Sequence, residues 1–445
     1  MTYPLKIEEE QQLNASRLLR FIDNSPSPWH AAASIAAQLE QADYRRYSEQ
    51  QGWRLKSGDK GYVLRADASL ICFRIGNEPL RQTGFRVIGA HTDSPGLRVK
   101  PRPVIASGNM LRLGVEIYGG PILATFTDRD LSLAGRLIIR NDGGSLETRL
   151  IRFAQPLVRL PNLPIHLNRN VNEDGLKLHK QNELPLLFGN IESSDDNSRA
   201  LLALLAEQAA IDADAIVSTE LSVCDTQCGS FWGSSNEFIA NSQLDNLASC
   251  HAALTALTAQ ESSAATSVCG FFDHEEVGSV SYQGAGGNFL SVLLERIAQA
   301  SGLSDEDHNR AIASSFFVSA DMAHAWHPNF PAVYDEQHRI FVNKGPVIKH
   351  NANQSYATSA VSEACFIGWC EAAGVEYQRY VHCNDLRCGG TIGSTLAASL
   401  GMRTVDVGNP LWAMHSLRES AGVLDHSAMI RVMEQFFQCG RIASG

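Results

Sequence analysis

Phe85-Arg86-Val87-Ile88-Gly89-Ala90-His91-Thr92-Asp93 is the stretch whose reading decides the fold. From Phe85 to Ala90 the run is short and apolar apart from Arg86, which reads as a buried strand. It stops at a histidine, with an aspartate two residues on. Two later runs repeat the plan. Val268-Cys269-Gly270-Phe271-Phe272 leads into Asp273-His274-Glu275-Glu276, and Phe316-Phe317-Val318-Ser319-Ala320 ends at Asp321. In open α/β sheets ligands gather at the carboxyl ends of the strands. Three apolar strands ending in His, Glu and Asp are what a metal-binding crevice would require.

Working outward from Phe85, two helices are expected first. Glu8 to Ile22 carries Leu13, Leu18, Leu19 and Ile22 at helical spacing. Ser25-Pro26-Ser27-Pro28 breaks that helix, with Ser27 placed to cap the next one and Pro28 in its first turn, where a missing N–H costs nothing. Short strands follow around Tyr62 to Leu64 and Leu70 to Arg74. From about Leu97 to Leu160 the apolar period becomes two, as in Leu111-Arg112-Leu113-Gly114-Val115-Glu116-Ile117, and Asn141-Asp142-Gly143-Gly144 suits a hairpin turn. A helix is expected around Ser198 to Ala210 and a strand around Leu221 to Cys224. After about Asn236 helix and strand alternate again. The chain therefore reads as an α/β domain, residues 1–96 and 237–445, interrupted by a β-rich insertion over 97–236.

Bulk properties agree. A chain of 445 residues exceeds one ordinary core. With 44% hydrophobic and 19% charged residues it should be globular, and a net charge of -11 argues against non-specific nucleic-acid binding. The first ten residues lack a basic start followed by an apolar run, and no uncharged apolar stretch reaches the ~18 residues of a membrane span, so a soluble cytosolic protein with no membrane partner is expected. Ten scattered cysteines without C-x-x-C spacing read as reduced thiols filling cores.

Two more candidates flank the strand ends: Asp245 in Ser242-Gln243-Leu244-Asp245-Asn246-Leu247, and His415 in Met414-His415-Ser416. Each candidate alone has an ordinary reading. Asp245 suits a helix cap, Glu275-Glu276 a solvated pair, and His415 a crevice filler beside Pro410 and Trp412. Together they carry more weight, because all sit beside apolar or small residues where unpaired charge is costly.

The combination resembles the aspartyl aminopeptidase family of di-zinc metallopeptidases. The residues that carry the likeness run in the family's order across nearly the whole chain. They are Ser25-Pro26-Ser27-Pro28, Gly89-Ala90-His91-Thr92-Asp93-Ser94-Pro95, Leu244-Asp245-Asn246-Leu247, Glu275-Glu276-Val277-Gly278-Ser279, Ser319-Ala320-Asp321-Met322-Ala323-His324, Gly345-Pro346-Val347-Ile348-Lys349 and Met414-His415-Ser416. Gln243 departs from the arginine that the family often has before Leu-Asp.

The resemblance implies a mixed-sheet metallopeptidase domain with an inserted dimerisation domain, assembled into a dodecamer built from dimers. It implies two divalent ions per chain, and histidine plus carboxylate ligands suit zinc, with manganese or cobalt as alternatives. Asp245 would bridge them, Glu276 and His415 completing one shell and His91 and Asp321 the other. Two such ions balance three carboxylates and a hydroxide. Asp93 would orient His91 from behind. Glu275 would be the general base on the attacking water, and His166, in Pro164-Ile165-His166-Leu167, would stabilise the tetrahedral intermediate from a neighbouring subunit. His324, Lys349 and Tyr356 would bind the peptide substrate, with Lys349 meeting an N-terminal Asp or Glu side chain. The glycine cluster Gly389-Gly390-Thr391-Ile392-Gly393 lacks the ending of a phosphate loop and reads as a backbone wall near the substrate. Two alternatives stand beside this one: a related two-metal aminopeptidase of neutral or broad specificity, and a non-catalytic metal-stabilised assembly protein.

Overall fold

The computed structural model describes residues 5–191 and 199–442. At its centre is a nine-stranded mixed sheet. Phe85–His91 lies between Thr266–Phe272 and Phe316–Ala320, with Arg403–Gly408 beyond, and these four strands run parallel. Phe272 stands opposite His91, and Ala320 opposite Val407. Residues His91, Asp273 and Asp321 therefore leave the sheet along one edge. Ser69–Arg74 pairs antiparallel with Thr266–Phe272, and Val347–His350 pairs antiparallel with Arg403–Gly408, which makes the sheet mixed.

Every residue of Phe85–His91 is buried, Arg86 included. That charge is tolerated because its guanidinium donates to the carbonyls of Thr83, Cys439 and Gly440 at 2.8–2.9 Å. Helices cover both faces. Glu9–Asp23, Leu244–Thr258, Ala360–Ala373 and Val423–Gln438 share one apolar core with the sheet. Phe289–Ala300, Asp305–Ala313 and Ile392–Leu400 contribute to the other. The expected cap is present: Ser27 precedes Pro28–Gln41, and its hydroxyl accepts from the His30 N–H.

The period-two region forms a separate six-stranded sheet in which every paired neighbour is antiparallel. Leu111, Leu113 and Val115 of Met110–Tyr118 turn inward while Glu116 is exposed, and Leu113 packs in a core with Leu97, Leu133, Leu137 and Leu221. Asn141 and Ser145 close the hairpin between Leu131–Arg140 and Leu146–Arg152. Pro101 and Pro103 cannot donate to the ladder, and the register of Gly96–Ser107 shifts between Val99 and Val104. The helix expected around Ser198 to Ala210 spans Ala200–Ala209; Ser198 lies outside the described residues.

A third sheet, five-stranded, joins Ser230–Trp232, Phe238–Asn241, Glu419–Gly422, Pro410–Trp412 and Ala323–His324. It sets Glu419 opposite Asn241, four residues before Asp245. All ten cysteines are free thiols. Among the described residues, no helix is long and apolar enough to cross a membrane.

Candidate metal centre

His91 is the last residue of its strand and is 2% exposed. Its Nε2 lies 3.4 Å from Asp245 Oδ1 and 3.4 Å from Asp321 Oδ1. On the far side of Asp245, Oδ2 is 3.5 Å from His415 Nε2, which is 3.4 Å from Glu276 Oε1. These separations exceed a good hydrogen bond. They match the ~3.3 Å edge between ligands standing about 2.0–2.1 Å from a tetrahedral ion. Among the described residues three overlapping donor sets result, His91-Asp245-Asp321, Asp245-Glu276-His415 and His91-Glu275-Glu276, and the first two share Asp245. Asp245 Oδ1 is buried with no hydrogen-bond partner, an expensive condition unless something else meets it. By donor type, spacing and this orphaned oxygen, the residues fit a pair of divalent cations.

The backbone holds these ligands in place. Ser94 Oγ donates to the Asp245 carbonyl at 2.7 Å. The Glu419 carboxylate accepts from the Asp245 N–H at 2.9 Å and from the His415 N–H at 2.8 Å, which ties together the two loops that face each other across the site. Asp93 accepts from the N–H groups of Glu275 and Glu276, both at 3.1 Å, and from the Tyr118 hydroxyl at 2.6 Å. His91 Nδ1 lies 3.0 Å from the Asp93 carbonyl and 3.5 Å from its carboxylate.

Electrostatics follow from this crowding. Burial alone would raise the Asp93 pKa, but hydrogen bonds from His91, Tyr118 and the Glu276 N–H hold it below the ordinary value. Burial, helped by Asp321, Asp93 and Asp245 and opposed by His91, pushes Glu275 up to about 7. His324 is lowered to about 4, first by burial and then by Lys349, so it is neutral at neutral pH. Lys349 is 2% exposed, with Nζ 3.5 Å from Asp321 Oδ2 and 5.4 Å from the centre of the Tyr356 ring.

One open cleft of about 1050 Å³ gathers His91, Asp245, Glu275, Glu276, Asp321, His415, His324, Lys349 and Tyr356. Gly389, Gly390 and Thr391 form part of its wall, and Thr391 is anchored by its hydroxyl to the buried Asp406 at 2.5 Å. Asp93 stands behind His91. His166 is elsewhere: it occupies an exposed turn of the insertion and does not line the cleft.

Glu419, Tyr118 and Asp406 escape the sequence reading. Arg418-Glu419 looks like a solvated pair, and nothing in the period-two pattern separates Tyr118 from its neighbours. Asp406 lies inside an apolar strand, Arg403–Gly408, and this interruption is the one available signal.

Comparison with known proteins converges on one family. A family profile described as "Aminopeptidase I zinc metalloprotease (M18)" matches residues 21–437. A Pseudomonas aeruginosa protein named "Probable M18 family aminopeptidase 2" is 45% identical over 423 residues, covering 94% of this chain and 97% of that protein. A chain in the cryo-EM structure of the Ape4 and Nbr1 complex superposes with a TM-score of 0.94 at 36% identity, covering 98% of this chain and 88% of its own. The structure of the S. cerevisiae mApe1 dodecamer gives a TM-score of 0.83 at 26% identity, covering 97% of each chain.

Proposed function

Because the chain belongs to the M18 family of aminopeptidase I zinc metalloproteases and is thus a zinc-dependent aminopeptidase, a hydrolase, we propose that it releases N-terminal Asp or Glu from peptides using two divalent cations. One observation carries the two-metal reading. Asp245 presents one carboxylate oxygen to His91 and the other to His415, at 3.4 and 3.5 Å, as a bridging ligand must. His91 and Asp321 would hold one cation, Glu276 and His415 the other. Bound there, the pair would supply Lewis acidity that polarises the scissile carbonyl and makes water easier to deprotonate.

The protein's own groups do the rest. Glu275 lines the cleft, held through its N–H by Asp93, and takes the proton of the attacking water. Asp93 fixes the His91 ring. Lys349 accepts the acidic side chain of the substrate, flanked by neutral His324 and Tyr356. Gly389 and Gly390 let the peptide backbone approach closely. Glu275 also weighs against a purely structural metal site, which needs ligands but no base.

His166 completes the cleft from a neighbouring subunit. It is exposed among the exposed apolar residues Leu163, Ile165 and Leu167, a surface suited to burial in an assembly. The assembly is a dodecamer, the state named for S. cerevisiae mApe1, and is built from dimers with 97–236 as the dimerisation domain of a cytosolic enzyme.

The test is Glu275→Gln with metal content measured alongside. It should keep both ions and lose rate by roughly 10²–10⁴-fold. Near-normal turnover in the metal-replete variant rules out Glu275 as base. Action in trans is checked by mixing His166→Ala with Glu275→Gln chains. Partial recovery of activity is expected, and none after verified subunit exchange counts against it.

A further inference from the structure

The insertion reaches the metal cradle through residues 118–125 and touches both halves of it. Tyr118 ends the strand Met110–Tyr118, and its hydroxyl donates to Asp93 Oδ2 at 2.6 Å. The same carboxylate accepts the N–H groups of Glu275 and Glu276. Arg98, from the adjacent strand, lies 4.4 Å from the centre of the Tyr118 ring and 4.9 Å from that of Trp29, which fixes the ring's tilt. Two residues on, the Gly120 carbonyl meets His415 Nδ1 at 3.1 Å. The Ile122 N–H then donates to the His415 carbonyl at 2.9 Å, and Thr125 Oγ1 accepts from the Leu417 N–H at 2.9 Å. Gly119 makes the close passage possible. Its φ is +65, in the left-handed region, and an added Cβ would sit 3.1 Å from Glu276 Cβ.

From this geometry we infer that residues 118–125 are a strut through which the inserted sheet sets both halves of the metal cradle, with Tyr118 the positioning residue for Glu275 and Glu276 by way of Asp93. The inference rests on the two-metal reading above. It gives the insertion a task inside its own subunit, separate from assembly. Groups behind metal ligands typically change metal affinity or activity by about 10–100-fold when removed, and a hydroxyl bonded to a shared carboxylate belongs in that class.

The experiment compares wild type, Tyr118→Phe, Asp93→Asn and the double variant as zinc-loaded full-length enzyme. Three quantities are read: zinc release to a chromophoric chelator, kcat with KM, and unfolding of the metal-stripped protein. Tyr118→Phe should release zinc faster and lose kcat, each by about 10–100-fold, with KM changed less than about twofold. Its metal-stripped form should unfold as wild type does. The double variant should be no worse than Asp93→Asn alone, because Tyr118 acts through that carboxylate. Wild-type zinc release and kcat in Tyr118→Phe overturn the strut, and so do additive losses in the double variant. If Tyr118→Phe does not fold, Thr125→Val is measured in the same way: faster zinc release supports the strut, and unchanged release overturns it. A wild-type enzyme that holds fewer than two ions, or hydrolyses peptides after chelation, would instead bring down the metal reading itself.

Discussion

His91 and His415 face the same carboxylate at nearly the same distance, yet they are built differently. His91 closes a fully buried strand, is 2% exposed and leans on Asp93 within its own loop. The His415 side chain is 29% exposed and its residue adopts a left-handed backbone with φ 68. It is held by two separate pieces, Glu419 through the N–H and Gly120 of the insertion through Nδ1, while Nε2 faces Asp245 at 3.5 Å. The first half inherits its precision from the sheet. The second depends on loops that must arrive together, and segments with few buried contacts open more readily. The His415 half should therefore exchange its ion first.

Removing the shared ligand tests this most severely. Asp245→Ala should lose both ions and more activity than the ~10²–10⁴-fold expected from losing a base alone. His415→Ala should keep one ion, in the His91 half. Metal analysis finding two ions per chain in Asp245→Ala would break the bridge, and finding none in His415→Ala would show that the halves do not stand separately.

A smaller effect is expected at Lys349, which belongs to the better-buried half through Asp321. Lys349→Ala should weaken kcat/KM on N-terminal Asp or Glu peptides several-fold or more and change Leu or Ala peptides little, since a desolvated charge pair is worth more than the ~1 kcal/mol ceiling of an exposed one. Equal loss on both kinds of peptide would assign Lys349 to the metals or the fold and favour broad specificity.

The smallest effect concerns the helix layer behind the His91 half. His251 of the Asp245 helix and His426 of the last helix are buried 2.9 Å apart, one ring donating to the other. Burial first, then Arg17, lowers His251 to about 4, and burial lowers His426 well below its usual value. The folded values lie below the unfolded one, so the unfolded chain binds more protons in acid. Stability present above the unfolded value of 6.5 is lost as pH falls toward 4. At pH 5, His251 alone should cost roughly 2 kcal/mol. Tm should fall between pH 7 and pH 5, and His251→Gln should flatten that slope; an equal slope in both proteins would remove the pair as its cause.

The parts legible in the sequence are those whose signal is local. Phe85–His91, Thr266–Phe272 and Phe316–Ala320 announce themselves as apolar runs because both sheet faces are covered. Met110–Tyr118 alternates in part because one of its faces meets the insertion's core, whereas Leu131 to Gly135 is buried on both faces. The five-stranded sheet was not legible, since strands of two to four residues such as Ala323–His324 and Phe238–Asn241 have no room for a period. Nor does alternation mark where the antiparallel six-stranded sheet yields to the five-stranded one. The six-stranded sheet draws its strands from residues 96 to 225, and Ser230–Trp232 already pairs with Phe238–Asn241. In the cleft, the candidate ligands could be picked out because His, Asp and Glu at strand ends are chemically unusual. Glu419 and Tyr118 could not, because their value lies in a partner's backbone N–H or a distant carboxylate, which no spacing encodes.

The spread of the donor residues along the chain also governs when the enzyme can exist. His91 is made 324 residues before His415 (415 − 91), and the strand Arg403–Gly408 must slot between Phe316–Ala320 and Val347–His350, both made earlier. At about 5–20 residues per second, a ribosome needs roughly 16–65 s to cover that interval. Throughout it the nascent chain carries a half-assembled cradle with no His415 to close it. Peptide-cleaving capacity thus arrives only once His415 has been made and the cradle is closed around Asp245.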